Sequence, residues 1–152
     1  MSQAVNLVIL GASGDLTHRL LLPGLGTLLK ADHGITINLV GAAAENWDQG
    51  HWCEIVKTAL GEGGCSNDEL QAILETTKYL QIDASSGDDL TGLLTGLQGR
   101  IVLYFALPPA ITMAACEALA DISLPDDLFL AIEKPFGTDA ESAHTFLSLI
   151  HI

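Results

Sequence analysis

Two short blocks carry residue types suited to holding an anion. Gly11-Ala12-Ser13-Gly14-Asp15-Leu16 follows one apolar run, and Glu133-Lys134-Pro135-Phe136-Gly137 follows another far downstream. A bound diphosphate requires free backbone N–H groups at a helix start and no Cβ in the path of its oxygens, and glycines between a strand and a helix supply both. Gly11 and Gly14 fit that need, and the Ser13 hydroxyl adds a donor. The spacing Gly-x-x-Gly is shorter than the common Gly-x-Gly-x-x-Gly fingerprint, and by itself it also describes a plain tight turn. A P-loop requires Gly-Lys-Ser/Thr, and a hydrolase elbow requires glycine two places after its serine, where Asp15 stands. Ser13 is therefore a donor and not a nucleophile. A helix terminus contributes only about 0.3–1 kcal/mol toward an exposed anion, so the turn positions a diphosphate without supplying most of its affinity. His18 reads either as added positive charge near the same oxygens or as an exposed helix histidine.

Lys134 matters because cations are scarce. The chain has 6 Lys and Arg against 19 Asp and Glu, a net charge of -13, which repels nucleic acid and anionic lipid. Arg19, Lys30, Lys57, Lys78, Arg100 and Lys134 are the whole supply for an anionic ligand. A lone ammonium before a proline, which restricts it to extended geometry, suits an anionic or hydroxylated substrate. Cys53, Cys65 and Cys116 form no Cys-x-x-Cys pair, so neither a metal site nor a disulfide framework is expected, and a reduced cytoplasmic protein is the default. No apolar run approaches the roughly 18 residues of a membrane span, and the first residues lack a secretory pattern.

The elements that must position these blocks follow from hydrophobic pattern. Val5–Leu10, Ile37–Ala42, Arg100–Ala106 and Leu128–Ile132 are near-continuous apolar runs, as in strands covered on both faces, and Tyr79–Ile82 is a shorter fifth. Between them lie helical patterns: Leu21, Leu25 and Leu28; Trp52, Ile55, Val56, Ala59 and Leu60; Leu70, Ile73 and Leu74; and Ile111 to Leu119. Alternating strand and helix predicts βαβ units and one doubly wound α/β domain with a parallel sheet. Ser66 with Glu69, and Thr138 with Glu141, are capping boxes that start two helices. Pro23 removes an amide from the first helix and predicts a kink or a fresh segment after a single turn.

Taken together the segments resemble the glucose-6-phosphate dehydrogenase family. Gly11 to Leu16, Arg19 and Pro23-Gly24-Leu25 are similar to its opening; Tyr104-Phe105-Ala106-Leu107-Pro108-Pro109 is similar to its Tyr-x-Ala-x-Pro-Pro segment beside the cofactor; Glu133 to Gly137 is the third match. The likeness spans about Leu7 to Phe146, but only the amino-terminal part of the family's length. It implies a Rossmann-like sheet binding NADP or NAD through Gly11, Ala12, Ser13, Gly14, Asp15, Leu16, Ala106 and Pro108. It gives Lys134 contact with both cofactor and sugar phosphate, and places Asp83 on the adenosine side, although Asp83 also reads as an ordinary loop aspartate. The implied partner is a small sugar phosphate, and the implied assembly a homo-oligomer.

Two residues depart from the pattern. After the second strand the family carries an arginine for the 2′-phosphate of NADP, where this chain reads Gly41-Ala42-Ala43-Ala44-Glu45. A glutamate there accepts from the ribose hydroxyls of NAD, so Ala44 and Glu45 tilt the expectation toward NAD. Leu20 stands where the family's Arg-Lys pair has its lysine.

In the family the base that takes the hydroxyl proton is a histidine of a later domain, and none of His33, His51, His144 or His151 falls in a motif that replaces it. The expectation is a dinucleotide-binding domain over residues 1–146, without the catalytic domain and inactive alone. Leu147–Ile152 departs from the family's continuation and resembles one reading frame of a transposase adaptor, hence a non-native tail. Two alternatives stay open: a Gfo/Idh-type sugar oxidoreductase, which shares Glu-Lys-Pro, and a standalone nucleotide-binding module without catalysis.

Overall fold

The computed structural model describes residues 4–31 and 36–132. Glu133–Gly137 with Lys134, the Thr138/Glu141 cap, the tail 147–152, and His33, His144 and His151 lie outside the described residues.

Five strands, β1 (Ala4–Leu10), β2 (Thr36–Ala43), β3 (Lys78–Gln81), β4 (Arg100–Phe105) and β5 (Leu128–Ile132), form one sheet in the order β3-β2-β1-β4-β5. Every neighbouring pair is parallel. Five α-helices connect or flank them: α1 (Leu22–Ala31), α2 (Gln49–Glu62), α3 (Asn67–Thr76), α4 (Gly87–Thr95) and α5 (Pro109–Ala120). Two cores result, because a parallel sheet must be covered on both faces. On one face Leu22, Leu25 and Leu29 of α1 and Trp52, Val56 and Leu60 of α2 pack against Ile9 and Leu39. On the other, Leu90, Leu93 and Leu94 of α4 and Ala115, Cys116 and Leu119 of α5 pack against Val8, Leu10, Leu103 and Phe105. Burial, with a smaller effect of Glu117, pushes the Cys116 thiol up to about 11.

Local chemistry sets the element ends. Ser66 Oγ accepts from the Glu69 amide at 3.2 Å and donates to the Glu69 carboxylate at 2.8 Å, fixing the start of α3. At the starts of α2 and α4 the Asp48 and Ser86 side chains accept from the His51 and Asp89 amides. Pro109 takes the first position of α5, where a missing amide costs nothing. Ahead of α1, Thr17–Leu21 is a π-helical turn in which the Leu22 amide reaches the Thr17 carbonyl. Pro23 follows that widened turn, which relieves the clash its ring makes with a preceding carbonyl. The helix face differs from the expected Leu21, Leu25 and Leu28: Leu28 is 45% exposed, and the buried residues of α1 are Leu22, Leu25, Gly26 and Leu29.

Candidate functional site at the carboxyl edge of the sheet

From β1 the chain lays down β2 and β3 on one side, then returns to lay β4 and β5 on the other. The loops after β1 and β4 therefore diverge, and ligands of open α/β sheets bind in the crevice this creates. A cavity of about 540 Å³ opens there, within the range of small-molecule sites. Its floor is Gly11, Ser13 and Gly14; one wall carries Ala42 to Glu45 and Ile82 to Ser85; the other carries Ala106 to Pro108, with Ala110, Ile111 and Ala114 from α5.

The turn after β1 is held from within. The Gly11 and Ala12 amides both donate to the Ala42 carbonyl, at 2.8 and 3.2 Å, and the Gly11 carbonyl accepts from the Gly14 amide at 3.0 Å and from Thr17 Oγ1 at 3.1 Å. Gly11 has φ +88°, and a Cβ there collides with the Ala106 carbonyl, so β1 and β4 meet only because this residue is glycine. A Cβ on Gly14 meets nothing closer than the Gly11 carbonyl at 3.2 Å, which leaves its cavity side open. With Gly11, Ala12 and Gly14 amides engaged, the Ser13 amide and hydroxyl and the amides of the first helical turn are the donors left for an anion.

The other residues of this block sit elsewhere. Ala12 is fully buried beneath the turn among Ile9, Leu22 and Trp52. Asp15 is exposed and accepts from Arg19 Nη1 at 2.7 Å, with His18 Nε2 3.6 Å away. Neither Asp15 nor half-buried Leu16 lines the cavity. His18 lines a separate depression of about 450 Å³ with Trp47, His51 and Glu54, so it is not beside the Gly14 opening.

Glu45 and Asp83 come from equivalent points on adjacent strands. Ala43 of β2 pairs with Gln81 of β3, and each carboxylate lies two residues further on. The Glu45 carbonyl accepts from Tyr79 Oη at 2.6 Å and from the Trp47 amide at 3.1 Å, while the Ala44 carbonyl accepts from Gln81 Nε2 at 3.1 Å. The Asp83 carboxylate accepts from the Ser85 hydroxyl at 2.6 Å and the Ser85 amide at 2.9 Å. The hydroxyl first, and then the amide, hold its pKa below the ordinary carboxylate value. On the opposite wall, the Ala106 amide donates to the Leu10 carbonyl at 2.9 Å and Pro108 caps α5.

Lys134 lies outside the described residues; Ile132, two places earlier, closes β5 beside Phe105 of β4. Sequence reasoning did not single out Leu107, Ala110, Ile111, Ala114 or Ser85 as cavity residues. Ile111, read from sequence only as the start of a helical pattern, is 44% exposed and lines this opening, a placement that helical periodicity does not reveal. Among the described residues no histidine lines the cavity, and no group of three or more His, Cys, Asp or Glu is arranged to hold a metal ion. Among them, too, no helix is long and apolar enough to cross a membrane.

Comparison with known proteins gives one family. Residues 8–151 match the model for glucose-6-phosphate dehydrogenase, NAD binding domain. The chain is 32% identical to the glucose-6-phosphate 1-dehydrogenase of Dickeya dadantii, over 93% of this chain and 30% of that protein. It is 28% identical to the enzyme of Aggregatibacter actinomycetemcomitans, over 95% of this chain and 32% of that protein. The chain thus spans about a third of the length of these relatives. Its fold superposes on the glucose-6-phosphate 1-dehydrogenase of Mycobacterium avium with a TM-score of 0.81 at 23% identity, covering 99% of this chain and 34% of the other. A glucose-6-phosphate dehydrogenase in complex with its substrate glucose-6-phosphate gives 0.79 at 22% identity, with the same coverage. The matches favour this family over Gfo/Idh-type oxidoreductases.

Proposed function

The chain belongs to the glucose-6-phosphate dehydrogenase family, through its NAD binding domain, and from that premise we propose that its carboxyl-edge cavity seats a nicotinamide dinucleotide, NADP or NAD, as the nucleotide half of an oxidoreductase. The supporting observation is the cavity at the strand-order reversal, floored by a turn whose Gly14 carries no side chain over the opening. Ser13 and the first-turn amides hold the diphosphate, Glu45 and Asp83 flank the adenosine end, and Ala106 and Pro108 form the wall toward the nicotinamide. Ala12 supports the turn from beneath, and Asp15 and Leu16 carry it into the helix. When bound, the nucleotide supplies the hydride acceptor.

The reaction we assign is hydride transfer from the C1 hydroxyl of a sugar phosphate, giving the lactone at the entry of the pentose phosphate pathway. Lys134, two residues beyond β5, supplies the ammonium that positions the sugar phosphate, and the proton acceptor comes from outside the described residues. We further propose a cytoplasmic location, in keeping with a Solanum tuberosum relative described as a cytoplasmic isoform, and a homo-oligomeric assembly of the whole protein.

Calorimetric titration of the protein with NAD and NADP tests the nucleotide reading. Saturable binding of either, weakened by Gly14→Ala, supports it; no binding of either by folded protein overturns it. Protection by glucose-6-phosphate that is lost in Lys134→Ala tests the sugar-phosphate assignment separately.

A further inference from the structure

Resting on the reading of the cavity as a dinucleotide site, we propose that its β2–β3 rim selects the nucleotide with a free ribose 2′-hydroxyl over the 2′-phosphorylated one, with Glu45 and Asp83 as the discriminating carboxylates and Tyr79 as the residue that positions Glu45.

The register brings the two acids together. Because Ala43 pairs with Gln81, both carboxylates leave the sheet at the same level, on the two strands at one side of β1. Both line the one cavity that also holds the Gly11–Gly14 turn. A ribose extending from that turn toward β2 meets Glu45 first, where a carboxylate accepts from vicinal hydroxyls. A third acid stands behind them, since the Asp89 carboxylate accepts from the Asp83 amide at 2.8 Å. Among the described residues no Lys or Arg lines this cavity. β5, the strand that leads toward Lys134, runs at the opposite edge of the sheet from β3.

Hydroxyl groups gain acceptors on such a rim, whereas a phosphate meets only like charge. One unit charge held about 4 Å from one carboxylate is disfavoured by roughly fivefold in bulk water and roughly a thousandfold at an effective dielectric of 20. Glu45 is exposed, which places its effect toward the lower figure.

An exposed glutamate discriminates only if its backbone is fixed. The Tyr79 ring is wedged between Trp47 and Trp52, with centroids 5.5 and 5.8 Å away, and its hydroxyl donates to the Glu45 carbonyl at 2.6 Å. A tyrosine hydroxyl is a donor at neutral pH at its ordinary pKa, and burial, then the Glu45 charge, push that of Tyr79 further up. Tyr79 does not line the cavity and acts through the Glu45 carbonyl that its hydroxyl holds.

The test is the ratio of dissociation constants, NADP over NAD, measured by titration of the protein and of Glu45→Gln, Asp83→Asn and Tyr79→Phe at low and high salt. Expected is a ratio of at least about five in the parent protein, falling with salt. Glu45→Gln lowers it severalfold, chiefly by tighter NADP binding, and Tyr79→Phe lowers it with little change in thermal stability. A ratio near or below one in the parent overturns the preference while leaving the nucleotide site standing. A ratio unmoved by Glu45→Gln overturns the role of Glu45, and one unmoved by Tyr79→Phe overturns the positioning role. Failure of both nucleotides to bind the parent overturns the site and this inference with it.

Discussion

Adding one methyl group at each of the two turn glycines separates the turn's structural duty from its binding duty. At Gly11 the new Cβ meets the Ala106 carbonyl on a backbone already at φ +88°. The left-handed conformation costs alanine about 1–2 kcal/mol, and forcing an atom into a packed contact adds about 1–3 kcal/mol. Gly11→Ala is therefore expected to lose roughly 2–5 kcal/mol, or roughly 4–20 °C in Tm for a chain of this size. Gly14 lacks the positive φ, and its Cβ meets only the Gly11 carbonyl at 3.2 Å. That carbonyl is fixed by two donors, Gly14 N–H and Thr17 Oγ1, so slight crowding offsets the gain of about 0.4–1 kcal/mol from a stiffer unfolded chain. Stability then stays within about 1 kcal/mol of the parent. Binding does not, because a diphosphate displaced by that methyl group gives up one charge-assisted hydrogen bond, about 1.5–3 kcal/mol, or roughly 10- to 150-fold in Kd. Differential scanning fluorimetry and calorimetric titration with NAD read the two effects independently. Parental affinity in Gly14→Ala refutes the seating of a diphosphate on this turn, and an unchanged Tm in Gly11→Ala refutes the β1–β4 contact.

Two further perturbations probe the scaffold behind the rim. Thr77 Oγ1 accepts from Trp52 Nε1 at 2.9 Å and donates to the Leu39 carbonyl at 2.7 Å, all in the buried core. Thr77→Val strands both partners and is expected to cost about 2–4 kcal/mol, with Thr77→Ser close to the parent in chemical denaturation; equal stability of the two variants refutes that accounting. Asp83 ionises below its ordinary value because Ser85 bonds the carboxylate, so that stabilisation is present above about pH 4 and fades as pH falls through the depressed pKa. Ser85→Ala removes the hydroxyl bond and moves the Asp83 carboxyl upward in an NMR titration, and an unmoved midpoint contradicts the assignment.

The inner strands were legible because a strand covered on both faces must be apolar at nearly every position; Leu128–Ile132 has the same bounds in sequence pattern and structure, but as an edge strand it is only partly covered, with Phe129 exposed. The first helix was legible as a helix but not in its facing. Leucines at 20, 21, 22, 25, 28 and 29 satisfy several periodic templates at once, and packing against α2 and the sheet selects Leu22, Leu25 and Leu29 for burial. The candidate site divides in the same way. Its glycines are legible from their place between a strand and a helix, although the same spacing also makes a plain tight turn. Its carboxylate rim is not. Glu45 and Asp83 are far apart in sequence, and their juxtaposition depends on the pairing of Ala43 with Gln81, a register set by which faces of β2 and β3 are buried. Tyr79 is harder still to find, because its pattern marks it as a core residue, which it is, while its hydroxyl governs a loop above that core. The chemistry that separates this chain from its family's pattern therefore rests on long-range register. Exchanging Glu45 for arginine alone, with Tyr79 intact, is expected to bring NADP to a fixed guanidinium, whereas the same exchange in Tyr79→Phe leaves the cation on a looser loop and recovers less of the NADP affinity.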